Sequence, residues 1–165
     1  LVMGTRCGDV DAGALEYLSK KENLDFPQIM NILNQESGVL GISKNLSSDF
    51  RELKDAEIKY NDTAALAREI FAYRVAKYIG SYAAAMNGVD NIVFTAGVGE
   101  NDSDIREEIC SYLEFLGITI DEVKNREQGE AFRISDGASK INVLVIKTNE
   151  ELEIAREAAE LVKGL

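Results

Sequence analysis

Between Asn61 and Gly88, apolar side chains recur at helical intervals. Ala67, Phe71, Val75, Ile79, Tyr82 and Met86 are spaced four, four, four, three and four, with Ile70 beside the stripe. That period turns one wide face inward. Asn61-Asp62-Thr63 supplies a polar cap and Asn87-Gly88 a stop, so the pattern predicts one long helix. Its small residues Gly80, Ala83, Ala84 and Ala85 would let another backbone approach closely. Upstream, Asp9 or Asp11 can cap a short helix carrying Ala14, Leu15 and Leu18. Pro27 suits the first turn of a second helix, with Ile29, Ile32 and Leu33 apolar. The glycine- and serine-rich stretch from Gly38 to Ser48 reads as a loop with Val39, Leu40 and Ile42 turned inward. Ser47 or Ser48 then caps a helix that opens Asp49-Phe50-Arg51-Glu52.

After Gly88 the period changes. Asn91 to Thr95 reads as a buried strand, and Ser103 to Leu116 as a helix with Ile105, Ile109, Tyr112 and Leu113 inward, closed by Gly117. Ile118 to Ile120 suggests a short strand, and the polar run Glu127 to Lys140, containing Asp136-Gly137, a hairpin or irregular segment. Asn142 to Ile146 is a continuous apolar strand, followed by the cap Thr148-Asn149-Glu150-Glu151 and a helix carrying Leu152, Ile154, Ala155 and Leu161. Strand–helix–strand–helix order predicts a parallel α/β unit. Two buried strands are too few for a complete parallel sheet, and the opening Leu1-Val2-Met3-Gly4 lacks an initiator methionine. Both observations lead to the expectation of a fragment.

Composition narrows the function. With 165 residues, 45% hydrophobic and 28% charged, the chain is expected to fold as one domain. A net charge of -11 argues against general nucleic-acid or anionic-membrane binding, since no basic stripe is present to neutralise phosphates. A nucleotide, which needs only one or two local arginines, is still allowed. No apolar stretch approaches a membrane span and no signal peptide is seen, so a cytoplasmic location is expected. Cys7 and Cys110 have no metal-ligand spacing and read as reduced thiols. The chain has no histidine, which excludes Ser-His-Asp, Cys-His and histidine–zinc chemistry within it. Carboxylate, arginine and backbone chemistry remain, and these suit phosphoryl transfer.

Four segments could carry that chemistry, and each has a structural alternative. Phe94-Thr95-Ala96-Gly97-Val98-Gly99-Glu100-Asn101 delivers a strand through a glycine turn to a helix start, an arrangement that brings backbone close to a flat or anionic ligand. It lacks the Gly-Lys-Ser/Thr of a phosphate loop and the third glycine of a dinucleotide fingerprint, so a tight turn is the alternative. Arg6, in Thr5-Arg6-Cys7-Gly8-Asp9, has the fork to meet a developing phosphoryl charge, or else is a surface arginine paired with Asp9 or Asp11. Asp49, Phe50 and Arg51 could contact a purine or ribose, or simply cap a surface helix. Glu150 could hold Mg²⁺ directly or through water, or be an acid favoured by the helix dipole.

Taken together, Met3 to Asp9, Ser37 to Ser43, Ser48 to Arg51, Phe94 to Asn101 and Thr148 to Leu152 resemble the acetate kinase family, in that order and spacing and over essentially the whole chain. The resemblance implies a ribonuclease-H-like, actin-like ATPase α/β fold with a large helical portion. Residues 1–165 would then be the C-terminal nucleotide-binding domain of a two-domain kinase, without its first strands. It implies reversible transfer of the ATP γ-phosphoryl group to acetate, giving acetyl phosphate and ADP, with Mg²⁺, in a homodimer. Arg6 matches the arginine that stabilises the transferring group, and Asp49, Phe50 and Arg51 the adenosine-contacting segment. Gly97, Val98, Gly99, Glu100 and Asn101 match the adenine and ribose turn, and Glu150 the magnesium-associated acid. The family's catalytic aspartate, histidine and second arginine, and its acetate pocket, have no counterpart here. The chain alone is therefore expected to be inactive, and the choice among acetate, propionate and butyrate lies outside it. A noncatalytic nucleotide-binding or dimerisation module is the alternative reading.

Overall fold

Short polar side chains open most of the helices, because each places an oxygen on an amide that has no partner in the first turn. A computed structural model of the chain describes residues 1–163. In chain order the elements are α1 (Ala12–Glu22), α2 (Phe26–Gln35), α3 (Gly38–Ile42), α4 (Phe50–Ile58), α5 (Asp62–Ala85), β1 (Asn91–Phe94), α6 (Ala96–Asn101) and α7 (Ser103–Ser111). A 3₁₀ turn (Glu114–Leu116), α8 (Glu122–Asn125), β2 (Ala131–Arg133), β3 (Asn142–Ile146) and α9 (Glu150–Lys163) follow. The caps are Asp11, Asp25, Asp49, Asn61, Asp102 and Asp121.

β1 runs parallel to β3, in register from Asn91 opposite Asn142 to Phe94 opposite Val145. This is the predicted parallel α/β unit. β2 pairs antiparallel to β3, making a small mixed sheet ordered β1-β3-β2. Ile92, Phe94, Val143 and Val145 pack with Ala72 and Ala76 of α5 and with Ile105, Ile109 and Cys110 of α7. A second cluster, Val39, Leu53, Ala64 and Ala67, joins α3 and α4 to the other end of α5. Phe71 packs against both clusters, so α5 is the spine that fixes α4 relative to the sheet.

Several elements differ from expectation. Gly38–Ile42 is helical, with Val39 fully buried. The cap of α4 is Asp49 itself, while the Ser47 hydroxyl accepts from the Asp49 amide. On α5 the buried positions are mainly alanines, Ala83 near the C-terminus among them, while Tyr82 and the capping residue Met86 point away from that face and are exposed. α7 stops at Ser111, and Tyr112 is partly exposed, edge-on to Tyr73. The strands are buried on one face only, leaving Val93 and Ile146 exposed. Leu152, Ile154 and Leu161 of α9 are also exposed. β2 and α8 were hidden in the sequence because each is too short to set up a period. Of residues 118 to 120, only Ile120 pairs, in a lone bridge to Ser135. Among the described residues no helix is long and apolar enough to cross a membrane. Burial pushes the Cys110 thiol up to about 12, which makes it an unreactive core residue.

The chain's first segment is held by backbone bonds. The amides of Val39 and Leu40 donate to the carbonyls of Met3 and Gly4 (2.9 and 3.0 Å), and that of Ser37 donates to Thr5 (2.9 Å). Gly38, at φ +62°, makes this approach possible, since a Cβ there would lie 2.3 Å from the Met3 carbonyl oxygen.

Candidate functional site

The start of α4 and the length of α6 face each other across a groove of about 730 Å³. Asp49, Phe50, Arg51, Lys54 and Asp55 form one wall, and Gly97, Val98, Asn101 and Asp102 the other. The structure thus brings together two predicted segments that lie far apart in sequence. Phe50 is fixed by edge-to-face contact with Phe71 (centroids 4.5 Å, 60°). Asp49 Oδ1 accepts from the Arg51 amide (2.8 Å) and from Arg51 Nε (3.1 Å), while Oδ2 accepts from Nη2 (2.6 Å). These bonds from Arg51 draw the Asp49 carboxyl down from 3.8 to about 2. Because the folded value is the depressed one, the cap is intact above 3.8 and is lost only as pH falls through about 2. A carboxyl-detected NMR titration should find the Asp49 midpoint near 2, and Arg51→Ala should raise it toward 3.8.

Behind the groove lies a charged cluster. Arg68 is buried, its Nη1 2.7 Å from Asp102 Oδ2 and its Nε 2.5 Å from Glu57 Oε2. Lys54 Nζ sits 3.6 Å from Asp102 Oδ1 and 2.8 Å from Asp104 Oδ2. Burial works against charge on both Arg68 and Asp102. Their mutual bonds outweigh it, so the Asp102 carboxyl is held below its usual range and the Arg68 guanidinium above its own. Asp102 also ends α6 and caps α7, which makes it the joint between them.

Neither glycine of α6 has positive φ; the turn out of β1 is made by Ala96 at φ 60°. A Cβ on Gly97 would meet nothing within 4 Å, so this position leaves the groove wall open, whereas one on Gly99 would rest against Phe94. Buried Arg106 holds the end of α6, its Nη1 donating to the carbonyls of Gly99 (2.9 Å) and Glu100 (3.0 Å). Arg106 Nε donates to Asn125 Oδ1 (2.8 Å), and Asn125 Nδ2 donates to the Ser103 carbonyl (2.8 Å). Glu100 Oε1 accepts from the Ala96 amide (2.7 Å), the Thr148 amide (2.8 Å) and the Thr148 hydroxyl (3.0 Å). The Thr148 amide is the leading cause that keeps this carboxyl below the ordinary range.

The other predicted positions lie apart from the groove walls. Gly99 and Glu100 do not line it. Arg6 is exposed, on the segment pinned to α3. Both acids that could have neutralised it are engaged elsewhere, Asp9 by Arg74 and Tyr78 and Asp11 as the cap of α1. Among the described residues Arg6 has no ion-pair partner. Glu150 is the exposed first residue of α9, two positions beyond Thr148. Among the described residues no three acidic, cysteine or histidine side chains converge to hold a metal ion. Exposed carboxylates at a helix start, here Glu150 with Glu151 beside it, fit a magnesium ion that keeps most of its waters and takes further oxygens from substrate phosphates.

A sequence model of the acetokinase family matches residues 1–156. The chain belongs to that family. It is 56% identical over 165 residues to the acetate kinase of Helicobacter hepaticus, covering 100% of this chain and 41% of that protein. Among solved structures it resembles Porphyromonas gingivalis acetate kinase, with a TM-score of 0.89 at 46% identity, covering 98% of this chain and 41% of that one. It also resembles a propionate kinase from Francisella tularensis subsp. tularensis SCHU S4, with a TM-score of 0.87 at 43% identity, covering 95% and 40%. The chain therefore spans about 41% of the length of the curated relatives it matches.

Sequence reasoning missed Lys54, Asp55 and Asp102 on the groove and Arg68 and Arg106 beneath it. A signal for the arginines was present. Arg68 follows inward-facing Ala67, and Arg106 follows inward-facing Ile105. Charged residues are rarely buried unless paired, so if the inward face is wide enough to include these positions each arginine needs a buried partner.

Proposed function

We propose that this acetokinase-family chain is the nucleotide-binding part of an acetate kinase, which transfers the γ-phosphoryl group of ATP in line to acetate and runs reversibly from acetyl phosphate and ADP. The observation that carries this reading is the convergence of Asp49, Phe50 and Arg51 with Gly97, Val98 and Asn101 on one groove. Phe50, Val98 and the open backbone at Gly97 offer apolar surface to a purine. Asp49 and Asn101 offer polar atoms to a ribose. Arg6, exposed and without an acidic partner among the described residues, is available to a transferring phosphoryl group, whose charge a guanidinium fork stabilises. Mg²⁺, held by Glu150 through water, would screen the phosphate charge when bound.

Under this reading residues 1–165 form a C-terminal, ribonuclease-H-like domain of a two-domain, homodimeric, cytoplasmic enzyme. Acetate is favoured as acceptor because the relatives of higher identity carry the acetate kinase name.

The test is acetyl phosphate formation, trapped as the hydroxamate, by the product of the complete reading frame that encodes this chain. Transfer to acetate from Mg-ATP is expected. Residues 1–165 alone should bind Mg-ADP without turnover. Nucleotide binding with no transfer to any short carboxylate by the complete product would instead favour a noncatalytic module.

A further inference from the structure

Glu100 is matched by sequence to a nucleotide-contacting turn, yet its carboxylate is occupied within the protein. We propose that Glu100 is a positioning residue: its Oε1 ties α6, one wall of the groove, to the loop after β3 that carries Glu150, and so sets the spacing between them. This rests on the reading of the groove as a nucleotide site.

The first amides of a helix have no intrahelical partner, and Thr95, at the cap of α6, makes no side-chain bond to them. Glu100 supplies that acceptor from four residues further along, at 2.7 Å from the Ala96 amide. Ala96 sits at φ 60°, a conformation that a non-glycine residue holds only when its surroundings fix it. The same oxygen takes the Thr148 amide at 2.8 Å and the Thr148 hydroxyl at 3.0 Å. Among the described residues no other hydrogen bond joins α6 to residues 147–150. Both segments leave the carboxyl ends of adjacent parallel strands, where an α/β sheet presents its ligand crevice. One carboxylate oxygen with three donors therefore couples the two loops of that crevice.

The test uses the chain itself, with fluorescent ADP titration in Mg²⁺ and amide hydrogen exchange read at Ala96 and Thr148. In Glu100→Ala both amides should lose protection together, and the ADP Kd should rise about tenfold, the scale of a lost charge-assisted bond. Glu100→Gln keeps a carbonyl acceptor and should restore protection and most of the affinity. If Glu100→Ala does not fold, Thr148→Val, which removes only the hydroxyl bond, should weaken ADP by a few-fold. The inference is overturned if the Ala variant, or the Val variant used in its place, binds like wild type. It is equally overturned if Gln is as damaging as Ala, the mark of a direct ligand, or if only one amide is released. Failure of the wild-type chain to bind ADP, with both amides protected, would sink the nucleotide reading and leave Glu100 a structural link only.

Discussion

Arg6→Ala, made in the complete product of the reading frame, should lower kcat for acetyl phosphate formation by about 10³-fold or more, the loss typical of an arginine that stabilises a phosphoryl transition state. ADP affinity should be unchanged, because Arg6 lies apart from the walls of the groove proposed to bind the nucleotide. The geometry favours so large an effect. The guanidinium is exposed, its neighbouring acids are engaged by Arg74, Tyr78 and the cap of α1, and its backbone is pinned to α3. Arg6→Lys keeps the charge but not the fork, so it should recover only a small part of the rate. Near-normal turnover in Arg6→Ala would remove it from the mechanism.

The second large effect is expected at Asp102. Asp102→Ala should cost about 3–5 kcal/mol in denaturant unfolding, because it strands a buried guanidinium and also deletes the cap of α7. Arg68 retains Glu57, which is partly solvent-exposed, and a long bond to the Phe50 carbonyl (3.5 Å). Adding Arg68→Met should return much of the loss, since a buried pair replaced by apolar volume is often neutral. A loss below about 1 kcal/mol in the single variant would show the pair to be worth no more than a surface bridge. The pH dependence has a definite sign. The Asp102 carboxyl is depressed in the folded state, so its contribution is present above 3.8 and disappears as pH falls through its lowered value. Asp102→Ala should therefore flatten the acid limb of the stability profile.

What was legible in the sequence follows from how many residues each feature recruits. α5 could be read because its period persists over 24 residues, and β1 and β3 because each is a short apolar run between turn signals. The period does not reveal that alanines rather than the larger side chains take the most buried positions on α5, nor that Tyr82 and Met86 are exposed. β2 and α8 span too few residues to declare a period. For the groove, sequence located the residues at the two helix starts, since caps and glycines are local signals. The Arg68–Asp102 and Arg106–Asn125 bonds join residues 34 and 19 positions apart, and only the fold brings them together.

The parallel pairing of β1 with β3 carries a consequence for how the molecule assembles. Asn91 and Asn142 meet across a separation of 51 residues, whereas α4 and α5 adjoin in sequence. Closing the longer loop must precede any reward from the strands, and such non-local pairings slow folding. The α4 wall of the groove can therefore form early, while α6 reaches its final seat only after β3 docks. Refolding followed by pulse-labelled exchange should show α5 amides protected before those of β3.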